Sequence, residues 1–321
     1  MPFFDTDFTT LPNNKATKLA NITCAYCGGE AEPDNPLTDE HVIGRKFVPK
    51  GSFAKGWSLI LRACERCNNK KSDLEDEISA ITMLPDLGTA HEQPDLFSLA
   101  TRKAAKARSR LTTKTVANSY EDHVVEGKLM SAIDCRFGFT APPRLAQERV
   151  MRLARFHLQG FFYLISYDKY AGMGSGIGDI GWINDARRPD WGNVLQRGFA
   201  DFVSDWKSAI EGIGADGYFR IAIRRDPSGA NLWSFALERN KALRSIGFFG
   251  DLDHAQAHAD LLPPLQFQQL DATRRMRLEI PLDPKDDRLF LPIEDIGLGP
   301  DDGPVSPHPP SATEPMSSPN P

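Results

Sequence analysis

Four of the five cysteines in this 321-residue chain occur as two Cys-x-x-Cys pairs. Cys24 and Cys27 form the first pair, Cys64 and Cys67 form the second, and Cys135 stands alone. In a reducing compartment such pairs are more often metal ligands than disulfides. The spacing C-x2-C-x36-C-x2-C can close a tetrahedral thiolate site around Zn²⁺ and stabilise a module too small for a large core. The sequence therefore predicts a structural zinc site.

A candidate acid/base cluster lies between and directly after these pairs. Glu40 and His41 fall in a predicted strand, 38–43, and a second predicted strand covers 59–61. A helix is predicted to start at the second cysteine pair, where Asn68 immediately follows. If zinc joins the pairs, Asn68 approaches Glu40 and His41. A carboxylate and an amide oxygen suit Mg²⁺ or Mn²⁺, and a neutral imidazole can accept a proton from water near pH 7.

Three segments resemble the HNH endonucleases, the zinc-containing branch of the ββα-metal nucleases, over roughly residues 21 to 80: C-A-Y-C-G, D-E-H-V-I-G and A-C-E-R-C-N-N-K-K-S. The resemblance implies that His41 is the general base and that Glu40 and Asn68 hold a catalytic Mg²⁺ or Mn²⁺. It also implies that the four cysteines hold a structural Zn²⁺. The implied activity is hydrolysis of DNA phosphodiester bonds, giving 5′-phosphate and 3′-hydroxyl ends, and family analogy suggests a role in bacterial or phage defence or DNA processing.

The chain departs from that family's pattern at two positions. Many members have an Asn about five residues before the third cysteine, where it holds the loop and the catalytic His. This chain has Trp57-Ser58-Leu59 there. Gly44 stands where Pro is common, which is expected to loosen the loop after His41. Neither departure removes a predicted catalytic ligand.

Basic residues concentrate around the predicted site. Residues 45–71 contain eight Lys or Arg and one acid, Glu65, and no acid occurs in residues 97–119. Such clusters bind nucleic-acid backbones. Alternatively, the second segment is an ordinary solvated helix face, and some basic residues of the first segment pair with acids of the following helix, namely Asp73, Glu75, Asp76 and Glu77. The predicted nucleic-acid contacts are Arg45, Lys46, Arg66, Lys70, Lys71, Arg102 and Lys106.

The rest of the chain predicts an α+β protein, with the zinc-stapled ββα module followed by a mixed helix and antiparallel-sheet domain. Helices are predicted over 95–112, 145–167 and 190–210, and strands over 130–139, 218–224, 232–237, 243–249 and 276–280. The predicted segments are a lead-in (1–20), the HNH module (21–83), a connector with a basic helix (84–126), an α+β domain (127–298) and a disordered tail (299–321), which contains eight prolines.

Composition limits the function classes. A net charge of −5 argues against a wholly basic DNA-coating protein. No apolar run approaches the roughly 18 residues of a membrane span, and no secretory signal is indicated, so a cytoplasmic protein without a membrane partner is expected. Two alternatives to a DNA endonuclease stay open: a non-catalytic, zinc-stabilised nucleic-acid-binding module, and a nuclease that prefers RNA.

Overall fold

A large sheet and a small sheet organise this chain. The structure is a computed structural model, and it describes residues 9–10, 16–53, 57–85, 94–129, 133–269 and 275–290. The α-helices in these residues are α1 (Glu65–Thr82), α2 (Pro94–Ala104), α3 (Gln147–Ile165), α4 (Val194–Phe202) and α5 (Leu252–Asp260). The strands are β1 (Thr9–Thr10), β2 (Thr17–Lys18), β3 (Leu37–His41), β4 (Leu59–Cys64), β5 (Glu121–Leu129), β6 (Ile133–Ala141), β7 (Asp179–Arg187), β8 (Lys207–Gly214), β9 (Phe219–Arg225), β10 (Leu232–Arg239), β11 (Leu243–Gly250), β12 (Phe267–Gln269) and β13 (Arg275–Arg277).

The large sheet has the strand order β1-β8-β9-β10-β11-β7, and the small sheet has the order β2-β4-β3. Neighbouring strands pair antiparallel except β1 with β8 and β2 with β4. Every residue of β10 is buried. Its alternate side chains divide between the two faces, so that Phe235 packs with α3 and Ala236 packs with α4. The sheet is therefore covered on both sides.

Helix α3 lies between the large sheet and the N-terminal elements. Phe161 stacks on Phe219 of β9, with ring centroids 5.6 Å apart, and also packs against Trp57, at 6.0 Å. Gly160 lies against Val42, where an added Cβ would come within 2.6 Å of a methyl carbon. One apolar core thus runs from the small sheet through α3 to the large sheet.

The turn between β10 and β11 also reaches the N-terminal elements. Asn240 has φ 52°, in the left-handed region that Asn tolerates better than most residues. Its Nδ2 donates hydrogen bonds to the carbonyl oxygen of Phe47, at 3.1 Å, and to Thr82 Oγ1, at 2.9 Å. This turn therefore fixes both the segment after β3 and the last turn of α1.

The structure confirms the mixed α+β class with largely antiparallel sheets. It also confirms the central elements of the prediction, namely β3, β4, α1, α3, β9, β10 and β11, each within a few residues of the expected bounds. None of the helices in the described ranges has the length and apolar character needed to span a bilayer. The predicted Pro-rich tail, 299–321, and most of the lead-in lie outside the described residues.

Two helix predictions were too long. The helix expected over 95–112 ends at Ala104, because the chain then turns back on itself, with Ser109 N–H donating to Lys114 O at 2.9 Å. The helix expected over 190–210 is the shorter α4, and β8 begins at Lys207.

Seven of the described α-helices and strands were not expected from the sequence, namely β1, β2, β5, β7, β8, β12 and α5. Strand β5 pairs with β6 over 121–141 and crosses the predicted boundary between connector and second domain.

Candidate functional site

The four paired cysteines come together beside the small sheet. Their sulfur atoms all lie within 4.8 Å of one another, and Cys27 Sγ is 3.9 Å from Cys64 Sγ. Zinc–thiolate bonds of about 2.3 Å place the sulfurs of a tetrahedral site about 3.8 Å apart. The observed cluster therefore has the dimensions and the donor atoms for a metal such as zinc.

Backbone geometry positions each pair. Gly28 N–H donates to Cys24 O at 2.8 Å, and Cys24 N–H donates to Gly29 O at 2.7 Å, which closes a tight turn. Gly28 has φ +73°, a conformation that glycine adopts without a steric penalty. In the second pair, Cys64 ends β4 and Cys67 lies in the first turn of α1. A metal held by all four sulfurs would tie the start of α1 to the Cys24 turn.

Hydrogen bonding between the sulfurs favours the thiolate form, which metals bind, at Cys24. A hydrogen bond with the Cys67 side chain lowers the pKa of Cys24 to about 4, although burial opposes the shift. The same bond raises the pKa of Cys67. Sulfur ligands are soft donors and select zinc over magnesium or calcium.

Helix α1 packs against β3 through polar side chains. Thr38 and Glu40 lie two residues apart in β3 and therefore point to the same face of the strand. Asn68 Nδ2 donates to Thr38 Oγ1 at 3.3 Å, and Lys71 Nζ donates to Glu40 Oε1 at 2.6 Å. The predicted ligands Glu40 and Asn68 thus share the α1–β3 interface, although no hydrogen bond between described residues joins the two directly.

Lys71 is completely buried and lies between two carboxylates. Its ammonium group donates to Glu40 at 2.6 Å, to Glu75 at 2.8 Å and to the carbonyl oxygen of His41 at 3.0 Å. Burial alone would lower the pKa of Lys71, but the charges and hydrogen bonds of Glu75 and Glu40 raise it. Burial raises the pKa of Glu40 more than Lys71 lowers it. Lys71 is therefore held as a cation inside the fold.

Glu75 fixes the segment that leaves β3. Its Oε1 accepts a hydrogen bond from Gly44 N–H at 3.0 Å, while Lys71, one helical turn earlier, holds the His41 carbonyl. The Glu75 carboxylate lies so close to Gly44 that an added Cβ there would clash with it. Glu75 is buried, which would raise its pKa, but Lys71 and His157 lower that pKa to about 2. Two residues of α1 thus hold both ends of the segment 41–44.

His157 connects this cluster to α3. It is completely buried, and its Nε2 lies 3.4 Å from Glu75 Oε1. Its ring packs edge-on against Phe47 and Phe219, each with centroids 5.4 Å away. Burial lowers the pKa of His157 to about 4, against the opposing effect of Glu75. His157 is therefore a neutral hydrogen-bonding residue at physiological pH.

His41 occupies the end of β3 and is half-buried. Burial lowers its pKa, and the charges of Arg45 and Lys71 lower it further. Because Glu40 and His41 are consecutive in a strand, their side chains start on opposite faces. No hydrogen bond within the described residues joins the His41 ring to Glu40 or Asn68. The structure thus presents a neutral imidazole that can accept a proton.

The residues predicted to contact nucleic acid do not all lie on the surface. Six of them are exposed: Arg45, Lys46, Arg66, Lys70, Arg102 and Lys106. Lys71 is instead completely buried, and its three hydrogen bonds go to Glu40, Glu75 and His41. The structure therefore gives Lys71 an internal role, because no external ligand can reach its ammonium group.

Sequence reasoning named Glu75 only as one of four acids that could pair with the basic residues, and it missed His157. Lys71 and Glu75 are four residues apart on a helix, a spacing that favours ion pairs and could have indicated their contact. No local sequence pattern could indicate the contact of His157 with Glu75, since the two residues lie 82 positions apart in the chain.

The comparisons with known proteins add no relative, since no family model, no curated protein and no solved structure matches this chain.

A zinc measurement tests the four-cysteine cluster. We expect purified protein to bind one zinc ion per chain, because all four sulfurs are within reach of one ion. Cys67→Ser should lower the zinc content and the thermal midpoint, whereas Cys135→Ser, outside the cluster, should change neither. Native mass spectrometry and thermal unfolding measure both quantities. Full stability without zinc in Cys67→Ser would contradict a structural metal site.

The Gly44–Glu75 contact predicts the effect of a single methyl group. Gly44→Ala should lower the free energy of unfolding by about 1 to 3 kcal/mol, because the new Cβ displaces the Glu75 carboxylate. Gly176→Ala is the matched control, since its Cβ would meet only Gln159 Oε1, at 3.7 Å. Urea unfolding measures both variants. Equal stability of the two variants would show that Glu75 moves aside without cost.

The lowered pKa of His157 leads us to expect that the folded chain loses stability on acidification. Its pKa is about 4 in the folded chain against 6.5 when unfolded, so between these pH values only the unfolded state binds the proton. The free energy of unfolding should therefore fall by about 3 kcal/mol as the pH drops from 7 to 4. His157→Phe removes the titrating group and keeps an aromatic ring, so its stability should depend less on pH over that range. Parallel slopes for wild type and variant would refute this assignment.

Proposed function

We propose that this chain is a metal-dependent endonuclease of the HNH type that hydrolyses DNA phosphodiester bonds. One observation carries the proposal. The four-cysteine cluster joins the start of α1 to the Cys24 turn, and α1 places Asn68 and Lys71 against β3, where Glu40 and His41 lie. The order strand, strand, helix with these residues is what the resemblance to the ββα-metal nucleases leads one to expect.

His41 is the proposed general base. It stands at the end of β3, is only half-buried, and has its pKa lowered by burial and by Arg45 and Lys71. A base that is neutral near pH 7 can take a proton from an attacking water molecule. The bond from Lys71 to the His41 carbonyl holds the backbone of this residue in place.

Glu40 and Asn68 are the proposed ligands of a catalytic Mg²⁺ or Mn²⁺. Asn68 uses its amide nitrogen on Thr38, which leaves Oδ1 as the atom for a cation. Glu40 uses Oε1 on Lys71, and a carboxylate has about four lone-pair sites, so Oε2 keeps capacity for a second cation. These are hard oxygen donors of the kind that Mg²⁺ prefers. When bound, such a metal would stabilise the negative charge on the phosphate and on the departing 3′ oxygen.

The products follow from the proposed chemistry. Water, deprotonated by His41, attacks phosphorus, and the bond from phosphorus to the 3′ oxygen breaks. The departing 3′ oxygen takes a proton from solvent water, and His41 returns its proton to solvent, so the strand ends in a 5′-phosphate on one side and a 3′-hydroxyl on the other. The zinc held by sulfur would stay out of this step, because all four of its coordination positions are occupied by protein.

A non-catalytic nucleic-acid-binding role is the second candidate, and one contact favours it. Glu40 is 9% exposed and already paired with a buried cation, Lys71. If Lys71 satisfies Glu40 fully, no metal binds there and the module serves only as a zinc-stabilised binding surface. A nuclease that prefers RNA would use the same residues on a different substrate.

Plasmid cleavage distinguishes these functions. Wild-type protein with Mg²⁺ or Mn²⁺ should nick or linearise supercoiled DNA, and His41→Ala should lower the rate by about 100-fold or more, the typical contribution of a general base. His123→Ala is the matched control, since His123 is an exposed residue of β5. Gel analysis with mapped ends, zinc content and thermal unfolding are measured for all three proteins.

The outcomes separate the candidates. Loss of cleavage in His41→Ala with unchanged zinc content and stability supports the endonuclease. Bound but intact DNA in the presence of both metals supports the binding module instead. Faster cleavage of a matched RNA than of the DNA would assign the third function.

A further inference from the structure

A basic cleft lies between the segment 45–50 and helix α2. It has a volume of about 650 Å³. Its rim carries six basic side chains, five of them exposed and one half-buried. They are Arg45, Lys46, Lys50, Arg102, Lys103 and Lys106. Among the residues that the structure describes, Asp76 is the single acidic one that lines the cleft. This concentration of positive charge occurs in a chain whose net charge is −5.

The floor of the cleft is apolar. It is formed by Val48, Met83, Leu99 and Ala107, all of them aliphatic or thioether side chains. Val48, Met83 and Ala107 are buried in the fold, and Leu99 is half-buried on α2. A ligand for this cleft therefore needs negative charges at its edge and an apolar surface toward its floor.

Lys103 is held across the cleft rather than left free in solvent. Its ammonium group donates to the carbonyl oxygen of Lys46, which joins α2 to the segment 45–50. Burial lowers the pKa of Lys103, and Asp76 opposes the shift. The cleft thus has one cation that is held by a backbone carbonyl, together with five exposed cations.

The cleft includes Arg45, which belongs to the segment that follows the proposed base, His41. Arg45 lines the cleft and lies close enough to His41 to lower the pKa of that imidazole. Asp76 follows Glu75, which holds Gly44. A chain-like ligand that occupies the cleft would therefore reach His41 over Arg45.

We propose that this cleft binds a single-stranded stretch of the nucleic-acid substrate, with phosphates on the basic rim and bases against the apolar floor. This inference rests on the proposed function for the identity of the substrate. Grooves that bind single strands combine positive charge along the backbone with apolar or aromatic contacts to exposed base faces. A duplex keeps its base faces stacked inside the helix and offers mainly phosphates to the basic rim, so it would leave the apolar floor uncovered.

The exposed residues that were predicted to contact nucleic acid fall into two groups. Arg45, Lys46, Arg102 and Lys106 line the cleft, whereas Arg66 and Lys70 lie outside it in the first turns of α1. Lys50 and Lys103 join the first group, although they were not among the predicted contacts. Binding of the single-stranded nucleic acid should therefore depend on the residues that line the cleft and should not depend on Arg66 or Lys70.

Two triple variants with equal changes in charge test this division. The cleft variant combines Lys50→Gln, Arg102→Gln and Lys106→Gln, all at exposed residues. The control variant combines Arg66→Gln, Lys70→Gln and Lys114→Gln, which are equally exposed and lie outside the cleft. Both are made in full-length His41→Ala protein without added Mg²⁺ or Mn²⁺, so that binding is measured apart from cleavage.

Fluorescence anisotropy measures binding of a labelled single-stranded oligonucleotide and of a hairpin duplex of the same sequence at several salt concentrations. The cleft variant should bind the single strand about tenfold more weakly or worse, with a salt slope shallower by about 2, because three phosphate contacts are lost. The control variant should stay within about threefold of its parent, since it keeps all cleft contacts.

Three results would overturn the proposal: equal weakening by both triple variants, no weakening by the cleft variant, or binding of the duplex as tight as that of the single strand. Failure of the proposed function looks different. In that case wild-type protein cleaves nothing, while cleft-dependent binding of the single strand persists.

Discussion

The buried ammonium group of Lys71 is the contact on which the arrangement of β3, α1 and the His41 segment depends. A charge that is removed from water costs several kcal/mol unless other groups compensate it. Here Glu40, Glu75 and the His41 carbonyl do so, each within 3.0 Å. These partners come from two different elements, so any shift of α1 along β3 would leave a buried charge without compensation. The ion pairs thus specify geometry more than they add stability.

The four-cysteine cluster and Lys71 act on the same helix at different positions. Cys67 lies in the first turn of α1, and Lys71 follows one turn later. Sulfur ligands would fix where the helix begins, and the ammonium group fixes how it is rotated against the strand. Asn68 lies between these two positions, which explains why its amide faces Thr38 rather than solvent. Two unrelated interactions therefore determine the position of one side chain.

Local patterns in the sequence predicted the cysteine cluster, the strands beside it and α3, because these depend on spacing and on runs of apolar residues. They did not predict β7, in which Asn184 and Asp185 interrupt the apolar pattern. Asp185 is stabilised there by Ser245, 60 residues away on β11, so its place in a strand depends on tertiary contacts. The contact between His157 and Glu75 likewise joins residues that are far apart in the sequence, so local patterns could not predict it. The helix predicted over 190–210 was too long because Trp206 continues the apolar spacing of α4. Trp206 lies after the end of α4, in the segment that precedes β8, and packs there on Phe248.

The two positions at which the sequence departs from the HNH pattern that it resembles are physically related. At the first position, Trp57 is part of the apolar core: it is buried, and its indole N–H donates to Thr17 Oγ1 at 2.8 Å. No amide side chain from that position supports the segment after His41. Glu75 supports it from α1 instead, by accepting the N–H of residue 44. Proline has no N–H to donate, and any Cβ at this position would clash with the carboxylate. Gly44 therefore does not loosen the loop. Its N–H and its lack of a Cβ allow the Glu75 carboxylate to hold the loop in place.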